Sequence, residues 1–184
     1  MLFKKLPLSG AYLIFPEPRR DERGIFCRIF CAQEFAARSL ETHFVQANTS
    51  TNMRAGTVRG MHFQQRPYGE VKVVRCIRGA VFDVIIDVRK KSSTFGKFYS
   101  AELTDENAAA LYVPIGFAHG YQALTDGATV QYMVSAFYAP EYEDGIHHSD
   151  TSVGIPWPLP IAEVSSKDAK LPFLGQSRGF DDGE

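Results

Sequence analysis

Short runs of strand-forming residues recur along this chain, and helical periodicity is nearly absent. Turn signals such as Arg78-Gly79 and Asp126-Gly127 separate the runs. Short strands at close spacing with turns between them are typical of antiparallel sandwiches and barrels. The chain is therefore predicted to be all-β. The runs cover residues 11–15, 25–30, 71–77, 81–88, 96–103, 110–113, 120–124 and 129–137, and short helices are predicted at 33–40 and 105–110.

The bulk composition predicts one ordinary globular domain over residues 1–184. A chain of 184 residues can bury a core unaided, and a net charge of −1 gives no general attraction for nucleic acid or an anionic membrane. No apolar run reaches membrane-spanning length, and the N-terminus lacks the apolar core of a secretion signal, so a cytoplasmic location is expected. Cys27, Cys31 and Cys76 form no CxxC pair, which favours neither a zinc site nor a disulfide framework.

The run over residues 81–88 carries two aspartates at alternate positions. Asp83 and Asp87 share one face of the predicted strand with Val81 and Ile85, while the other face is wholly apolar. A strand buried on both sides would not be expected to carry unpaired carboxylates. We therefore expect the apolar face to pack in the core and the other to meet water, a partner or a polar cavity.

The chain after residue 155 differs in composition from the rest. It is rich in proline at first and acidic at its end. Such a segment predicts an extended tail, with residues 173–184 outside the folded body and a frayed terminus.

Several polar residues that could carry chemistry are predicted to fall on consecutive strands. A lone histidine on an apolar strand is more often a hydrogen-bonded core residue than a catalyst. Here, however, a lysine and an aspartate accompany it, and such residues are rarely buried unless paired or functional. Small-molecule sites commonly lie in the mouths of β-barrels, where these side chains could converge. The set is Arg59, His62, Gln64, Lys72 and Asp83.

The same region argues against a bound metal. Pro114-x-Gly116-x-x-His119 has the form of the second cupin motif, but a metal-binding cupin normally offers two histidines and a glutamate in its first motif. This chain has His62-x-Gln64 there, and glutamine is a weak ligand beside imidazole. No metal is expected, although a site of His62, Glu70 and His119 is an alternative that the sequence alone leaves open.

With these motifs assembled, the chain resembles the dTDP-4-dehydrorhamnose 3,5-epimerase family of metal-free cupins. The resemblance runs from about residue 21 to about residue 172 and follows one order of motifs. It implies a double-stranded β-helix, or jelly-roll, barrel with a few short helices, and no cofactor. The motifs are Asp21-x-Arg23-Gly24-x-Phe26, Gln46-x-Asn48-x-Ser50, Arg59-Gly60-Met61-His62-Phe63-Gln64, Lys72, Asp83 to Arg89, Pro114 to Tyr121, Tyr132, Tyr138-Ala139-Pro140, Trp157-Pro158 and Ser166-Lys167-Asp168.

The resemblance implies a catalytic set for inverting a carbon beside a ketone. Such a reaction needs a base on one face, a stabiliser of the enolate oxygen and an acid on the other face. In the family pattern His62 falls on the base and Asp168 on its orienting partner. Lys72 falls on the group that faces the ketone oxygen, and Tyr132 falls on the acid. Asp83 is an alternative or additional partner of His62.

The resemblance also implies a binding set for a nucleotide-sugar substrate. Arg23 and Arg59 suit the diphosphate, because guanidinium groups match phosphate oxygens. In this family the N-terminal region crosses to a second subunit, so Arg23 and Phe26 would serve the partner's site in a homodimer. The remaining binding residues are expected to be Gln46, Asn48, His119, Tyr138 and Lys167.

Departures from the family pattern leave the substrate open. Glu70 stands where a glutamine is common, and Tyr121 replaces a usual phenylalanine. The sequence therefore predicts epimerisation of a nucleotide-linked 4-keto-6-deoxyhexose at C3 and C5, with a C3-only or CDP-sugar epimerase as alternatives. Two further alternatives are a metal-dependent cupin oxygenase or isomerase and a non-catalytic sugar-nucleotide-binding cupin.

Overall fold

The computed structural model of the protein describes residues 1–181 and consists almost entirely of antiparallel strands. Its one α-helix, α1 (Ala32–Ala36), is short, and three 3-10 turns cover Pro140–Tyr142, Asp168–Lys170 and Leu174–Gln176. The strands are β1 (Leu2–Lys5), β2 (Tyr12–Phe15), β3 (Arg19–Asp21), β4 (Gly24–Phe26), β5 (Gln46–Asn52), β6 (Val58–Gln64), β7 (Lys72–Arg78), β8 (Ala80–Asp87), β9 (Phe98–Thr104), β10 (Ala110–Val113), β11 (Phe117–Ala123), β12 (Ala128–Val134) and β13 (Glu143–Gly145).

Eleven of these strands form two sheets. One sheet has the order β1-β2-β10-β7-β12-β5, and the other has the order β13-β6-β11-β8-β9. β3 and β4 pair only with each other, as a hairpin. Neighbouring strands in the order are mostly far apart in sequence, as in a jelly roll. The predicted all-β architecture is confirmed.

The main core lies between the two sheets. Its fully buried members include Val74 of β7, Ile85 of β8 and Leu111 of β10. The outer face of the six-stranded sheet is covered by α1, whose Phe35 is fully buried. Burial on both faces explains why β10, in the middle of this sheet, is apolar at every position.

The structure corrects three local expectations. The run predicted over residues 25–30 is a strand only as far as Phe26, in β4. Residues 105–107 form a turn that leads into β10, in place of the helix predicted at 105–110. The helix predicted at 33–40 exists but ends at Ala36. Among residues 1–181, no helix is long and apolar enough to cross a membrane.

The segment after residue 155 is packed against the barrel, contrary to the expected tail. Phe180 is fully buried, and Trp157 and Leu174 pack with it on the outer face of the five-stranded sheet. Phe180 also forms a bridge to Arg89. The expectation missed this because isolated aromatic residues in a proline-rich stretch have no periodicity to reveal a buried face. The terminal residues predicted to fray, 182–184, lie outside the described residues.

The β8 strand is buried on both faces despite its two aspartates. Val84 and Ile86 face the covered outer layer, while Ile85 faces the core between the sheets. Both carboxylates are fully buried but compensated. Asp87 accepts hydrogen bonds from Arg89, Ser92 and Thr94, and Asp83 pairs with a histidine of the neighbouring strand.

Candidate active site

Two adjoining cavities lie between the sheets and share one wall. The first has a volume of about 410 Å³ and the second about 370 Å³. His62 of β6, Lys72 of β7 and Tyr132 of β12 line both cavities. Since β6 belongs to one sheet and β7 and β12 to the other, the histidine faces the lysine and the tyrosine across the interior.

His62 is bound to a carboxylate from a distant part of the chain. Its Nε2 atom lies 2.9 Å from Oδ1 of Asp168, which begins a 3-10 turn packed against β6. The backbone N–H of Gly60 donates to Oδ2 of Asp168 at 3.1 Å, and the Asp168 N–H donates to Ser165 Oγ. His62 remains about one-quarter exposed to the cavity, whereas the Asp168 side chain is 6% exposed. The dyad therefore presents the imidazole and hides the carboxylate.

The surroundings of Asp168 keep it ionised. Burial alone would raise its pKa, but the hydrogen bond and charge of His62, together with the Gly60 N–H, lower the pKa to about 2. A carboxylate that stays charged can fix the tautomer of the imidazole and stabilise the imidazolium. The pair is arranged to accept a proton at His62.

Two glycines let the histidine strands approach closely. Gly60 of β6 has a φ of +113°, and a Cβ atom there would lie 2.6 Å from Cα of Gly120 in β11. No side chain fits at that distance. The close approach accompanies a bulge in β11 and places His62 opposite His119 in the strand register.

His119 has its own carboxylate partner. Its Nε2 atom lies 3.0 Å from both oxygens of Asp83, which is fully buried. The alternative in which Asp83 orients His62 is therefore wrong, because His62 is paired with Asp168. His119 lines the first cavity beside the dyad.

The six-stranded sheet supplies a cation and a phenol to the shared wall. The Lys72 ammonium lies 3.1 Å from Glu70 Oε1, and both side chains are about one-tenth exposed. Tyr132 sits opposite Asn48 of β5 and Val74 of β7. Burial, and to a lesser degree the charge of Glu70, raises the pKa of Tyr132, so its phenol is held in the protonated form.

The expected substrate-binding residues divide between the two cavities. Arg59 lines the first cavity, and Gln46, Asn48 and Tyr138 line the second. The Tyr138 N–H donates to Gln46 Oε1 at 3.0 Å, and its hydroxyl donates to Glu143 at 2.7 Å. Tyr138 leaves more than half of its surface exposed, as a platform at the edge of the second cavity.

Three expected binding residues lie outside both cavities. Lys167 forms an ion pair with Glu143 at the edge of the second cavity. Arg23 and Phe26 lie in the β3–β4 hairpin, where Phe26 is 66% exposed and Arg23 pairs with Asp21. The structure of one chain therefore does not bring the hairpin residues to its own cavities.

The wall of the first cavity also contains polar residues that the site prediction did not include. Arg59 Nε donates to Asn52 Oδ1 at 2.8 Å, and Asn52 Nδ2 donates to the Tyr121 hydroxyl at 3.3 Å. That hydroxyl donates to Ser50 Oγ at 3.1 Å. The signal was present in the sequence, because Ser50 and Asn52 continue the period-two alternation that begins at Gln46.

The side chains near the cavities are not arranged as metal ligands. The alternative site of His62, Glu70 and His119 is contradicted, because these three side chains form no cluster that could hold a metal ion among residues 1–181. Gln64 has both ends of its amide bonded to backbone groups of Tyr68, Phe137 and Ala139. Within residues 1–181, no cluster of three or more histidine, cysteine, aspartate or glutamate side chains could hold a metal ion.

Comparison with known proteins identifies the family to which this chain belongs. Residues 5–176 match the family model described as dTDP-4-dehydrorhamnose 3,5-epimerase. A protein of that name from Sinorhizobium fredii is 43% identical over 175 residues, which cover 95% of this chain and 90% of the relative. A dTDP-4-dehydrorhamnose 3-epimerase from Streptomyces niveus is 38% identical, with 97% and 86% covered.

A solved structure agrees with the fold as well. RmlC, a dTDP-6-deoxy-D-glucose-3,5-epimerase from Legionella pneumophila solved in complex with dTDP-4-keto-L-rhamnose, superposes with a TM-score of 0.90 at 34% identity, covering 95% of this chain and 93% of that one. The chain is an isomerase and belongs to the dTDP-4-dehydrorhamnose 3,5-epimerase family.

Proposed function

We propose that this enzyme epimerises dTDP-4-dehydro-6-deoxy-D-glucose, a nucleotide-linked 4-keto-6-deoxyhexose, at C3 and C5. One observation carries the proposal. His62, paired with Asp168, and the protonated Tyr132 face shared cavities from opposing sheets. A sugar ring bound between them would meet a base on one face and an acid on the other, which is what inversion of a carbon requires.

The chemistry follows from the acidity of hydrogens beside a ketone. His62 removes the proton from C3 or C5, and the electrons of that C–H bond form the enolate with its charge on the ketone oxygen. The Lys72 ammonium stabilises that oxygen, because its positive charge gains most where negative charge develops. Tyr132 then delivers its own proton to the same carbon from the other face. Solvent restores both groups, so no oxidant, reductant or cofactor is consumed.

The substrate class rests on the relatives and on the second cavity. The relative from Sinorhizobium fredii carries the name of the C3 and C5 epimerase, and the Legionella pneumophila structure holds a dTDP-linked keto sugar. Tyr138, Gln46 and Asn48 offer an exposed aromatic face and amide groups at the second cavity. These groups suit a nucleoside, by stacking and hydrogen bonding.

We further propose that the active form is a homodimer. The β3–β4 hairpin projects Ile25 and Phe26 with 58% and 66% of their surfaces exposed. Apolar side chains exposed together on a short ribbon favour contact with another surface. If a second copy binds this hairpin, the Arg23 guanidinium would reach the cavities of that copy and could bind the substrate diphosphate there. Arg23 does not line the cavities of its own chain.

Deuterium uptake from heavy water, followed by proton NMR, tests the reaction. The enzyme should incorporate deuterium at both C3 and C5 of dTDP-4-keto-6-deoxyglucose and form the L-rhamno product. CDP-4-keto-6-deoxyglucose, tested in parallel, should react more slowly. Uptake at C3 alone would identify a C3 epimerase, like the named Streptomyces niveus relative. Tight binding of either nucleotide sugar without any uptake would instead identify a non-catalytic binding protein.

A further inference from the structure

Glu70 is a buried carboxylate in the cavity wall that the proposed reaction does not use. It lies two residues before Lys72, at the entrance to β7, and its Oε1 atom is 3.1 Å from the lysine ammonium. Their side chains are 10% and 11% exposed, respectively. Glu70 lines the second cavity, while Lys72 lines both. The ion pair therefore stands at the wall that the two cavities share.

A carboxylate at this position has a physical consequence for the lysine. The lysine stem is flexible, and confining it costs side-chain entropy. Transfer of its ammonium away from water is costly unless a partner compensates the charge. Glu70 supplies the compensation as an ion pair. An ammonium has three N–H donors, so the ion pair leaves donors available for another acceptor.

We propose that Glu70 is a positioning residue, whose carboxylate holds the Lys72 ammonium in place for the ketone oxygen of the substrate. This inference rests on the proposed function of the same site. In the family pattern, a glutamine is common at this position. The amide oxygen of a glutamine could accept from the same lysine. Positioning of Lys72 requires a side-chain oxygen at position 70, whether that oxygen belongs to a charged glutamate or to a neutral glutamine.

Steady-state kinetics of Glu70 variants provide the first test. Because the charge on the substrate oxygen develops only toward the transition state, loss of positioning should lower kcat more than it raises KM. Glu70→Ala should lower kcat about tenfold or more, an effect of the size expected when a stabilising donor is misplaced, with KM changed by less than about threefold. Glu70→Gln keeps an oxygen acceptor and should lose only about threefold. Glu102→Ala, on the exposed side of β9, serves as the matched control and should behave as the wild type.

A double-mutant cycle shows whether Glu70 acts through Lys72. In a Lys72→Met background, adding Glu70→Ala should cause no further loss of kcat, because the group that Glu70 positions is already absent. Losses that multiply in the double variant would overturn the proposal and make Glu70 a structural residue. Wild-type kcat in Glu70→Ala would overturn it directly.

Heteronuclear NMR of the lysine ammonium groups separates this inference from the proposed reaction. An ion-paired, largely buried ammonium exchanges its protons more slowly than an exposed one, so the wild type should show a Lys72 ammonium resonance that Glu70→Ala loses. Absence of that resonance in the wild type would overturn the positioning role. A wild-type protein that shows the resonance but epimerises no sugar would overturn the proposed function and leave Glu70 as the residue that holds Lys72.

Discussion

His62 Nε2 lies 2.9 Å from Asp168 Oδ1, although 106 positions of the chain separate the two residues. The histidine comes from a central strand, and the aspartate comes from a 3-10 turn in the packed C-terminal segment. Because the second carboxylate oxygen accepts from the Gly60 N–H, the turn is anchored to the same strand that carries the histidine. The orientation of the proposed base is thus set by a contact between segments with no sequence proximity.

Asp168→Asn should weaken the enzyme in two measurable ways. The amide is uncharged and cannot stabilise an imidazolium at His62, so kcat should fall by about tenfold or more. The carboxylate should also contribute to folding. Since its pKa falls from 3.8 to about 2 in the folded protein, and one pKa unit corresponds to about 1.4 kcal/mol, the contribution is about 2 kcal/mol at neutral pH.

The contribution of the Asp168 carboxylate to the free energy of unfolding should depend on pH in a definite direction. A carboxyl group with a lowered folded-state pKa stabilises the protein above its unfolded pKa, and the stabilisation is lost as the pH falls. Urea unfolding should therefore show wild type more stable than Asp168→Asn above about pH 4, with the difference shrinking toward pH 2. A difference that stays constant over this range would mean that the charge of Asp168 does not contribute.

The substitutions His62→Asn and Tyr132→Phe should fail in different ways. Without the base no enolate forms, so His62→Asn should lose both inversion and deuterium exchange by about a hundredfold or more. Tyr132→Phe keeps the base and allows His62 to return a deuteron to the original face. That variant should exchange C3 or C5 hydrogen with little inversion. Equal loss of exchange and inversion in both variants would make Tyr132 a binding residue.

Mixed dimers should show whether Arg23 serves the partner's site. Arg23→Ala and His62→Asn homodimers should both be nearly inactive. In a heterodimer of the two variants, one site has an intact His62 and receives an intact Arg23, so coexpression should restore about a quarter of the sites in a randomly mixed population. Absence of restored activity would place Arg23 in its own chain's site. Arg20→Ala, in the same hairpin, is the control for damage to β3 and β4.

Activity should survive removal of metal ions. The nitrogen atoms through which His62 and His119 meet Asp168 and Asp83 are occupied by hydrogen bonds, and Gln64 is bound to backbone groups. Within residues 1–181, these side chains form no cluster of three or more that could hold a metal ion. Enzyme dialysed against EDTA should keep its full kcat. Loss of activity that iron or zinc restores would contradict the proton-transfer mechanism.

The sequence predicted the strands of the barrel far better than the segments that pack on it. β10 has the predicted bounds, because its apolar run is enclosed by a turn and a proline. The N-terminal hairpin was harder, since the apolar residues after Phe26 look like a continuing strand but have no ladder to join. Nothing in local pattern could show that Phe180 would be buried, because its burial depends on a surface that forms from other strands.

The site shows the same division between local and distant information. His62, Lys72 and Tyr132 could be placed on strands from their neighbours in sequence, and the structure brings all three to both cavities from opposing sheets. The carboxylate partners of the site histidines were harder to predict from the sequence. Asp83 was predicted on a strand that follows the His62 motif in the sequence and was considered as a partner of His62. In the structure, its carboxylate pairs with His119. Strand order alone decides that pairing, and sequence periodicity does not encode strand order.

The packed C-terminal segment has a consequence for the enzyme during its own synthesis. All the strands of the two sheets leave the ribosome before the turn that carries Asp168 does. A nascent chain could thus close its barrel and line both cavities while His62 still lacks its carboxylate. Under the proposed mechanism, proton transfer would reach its full rate only after the C-terminal segment has packed on the barrel, so chains that lack this segment would turn over the nucleotide sugar slowly.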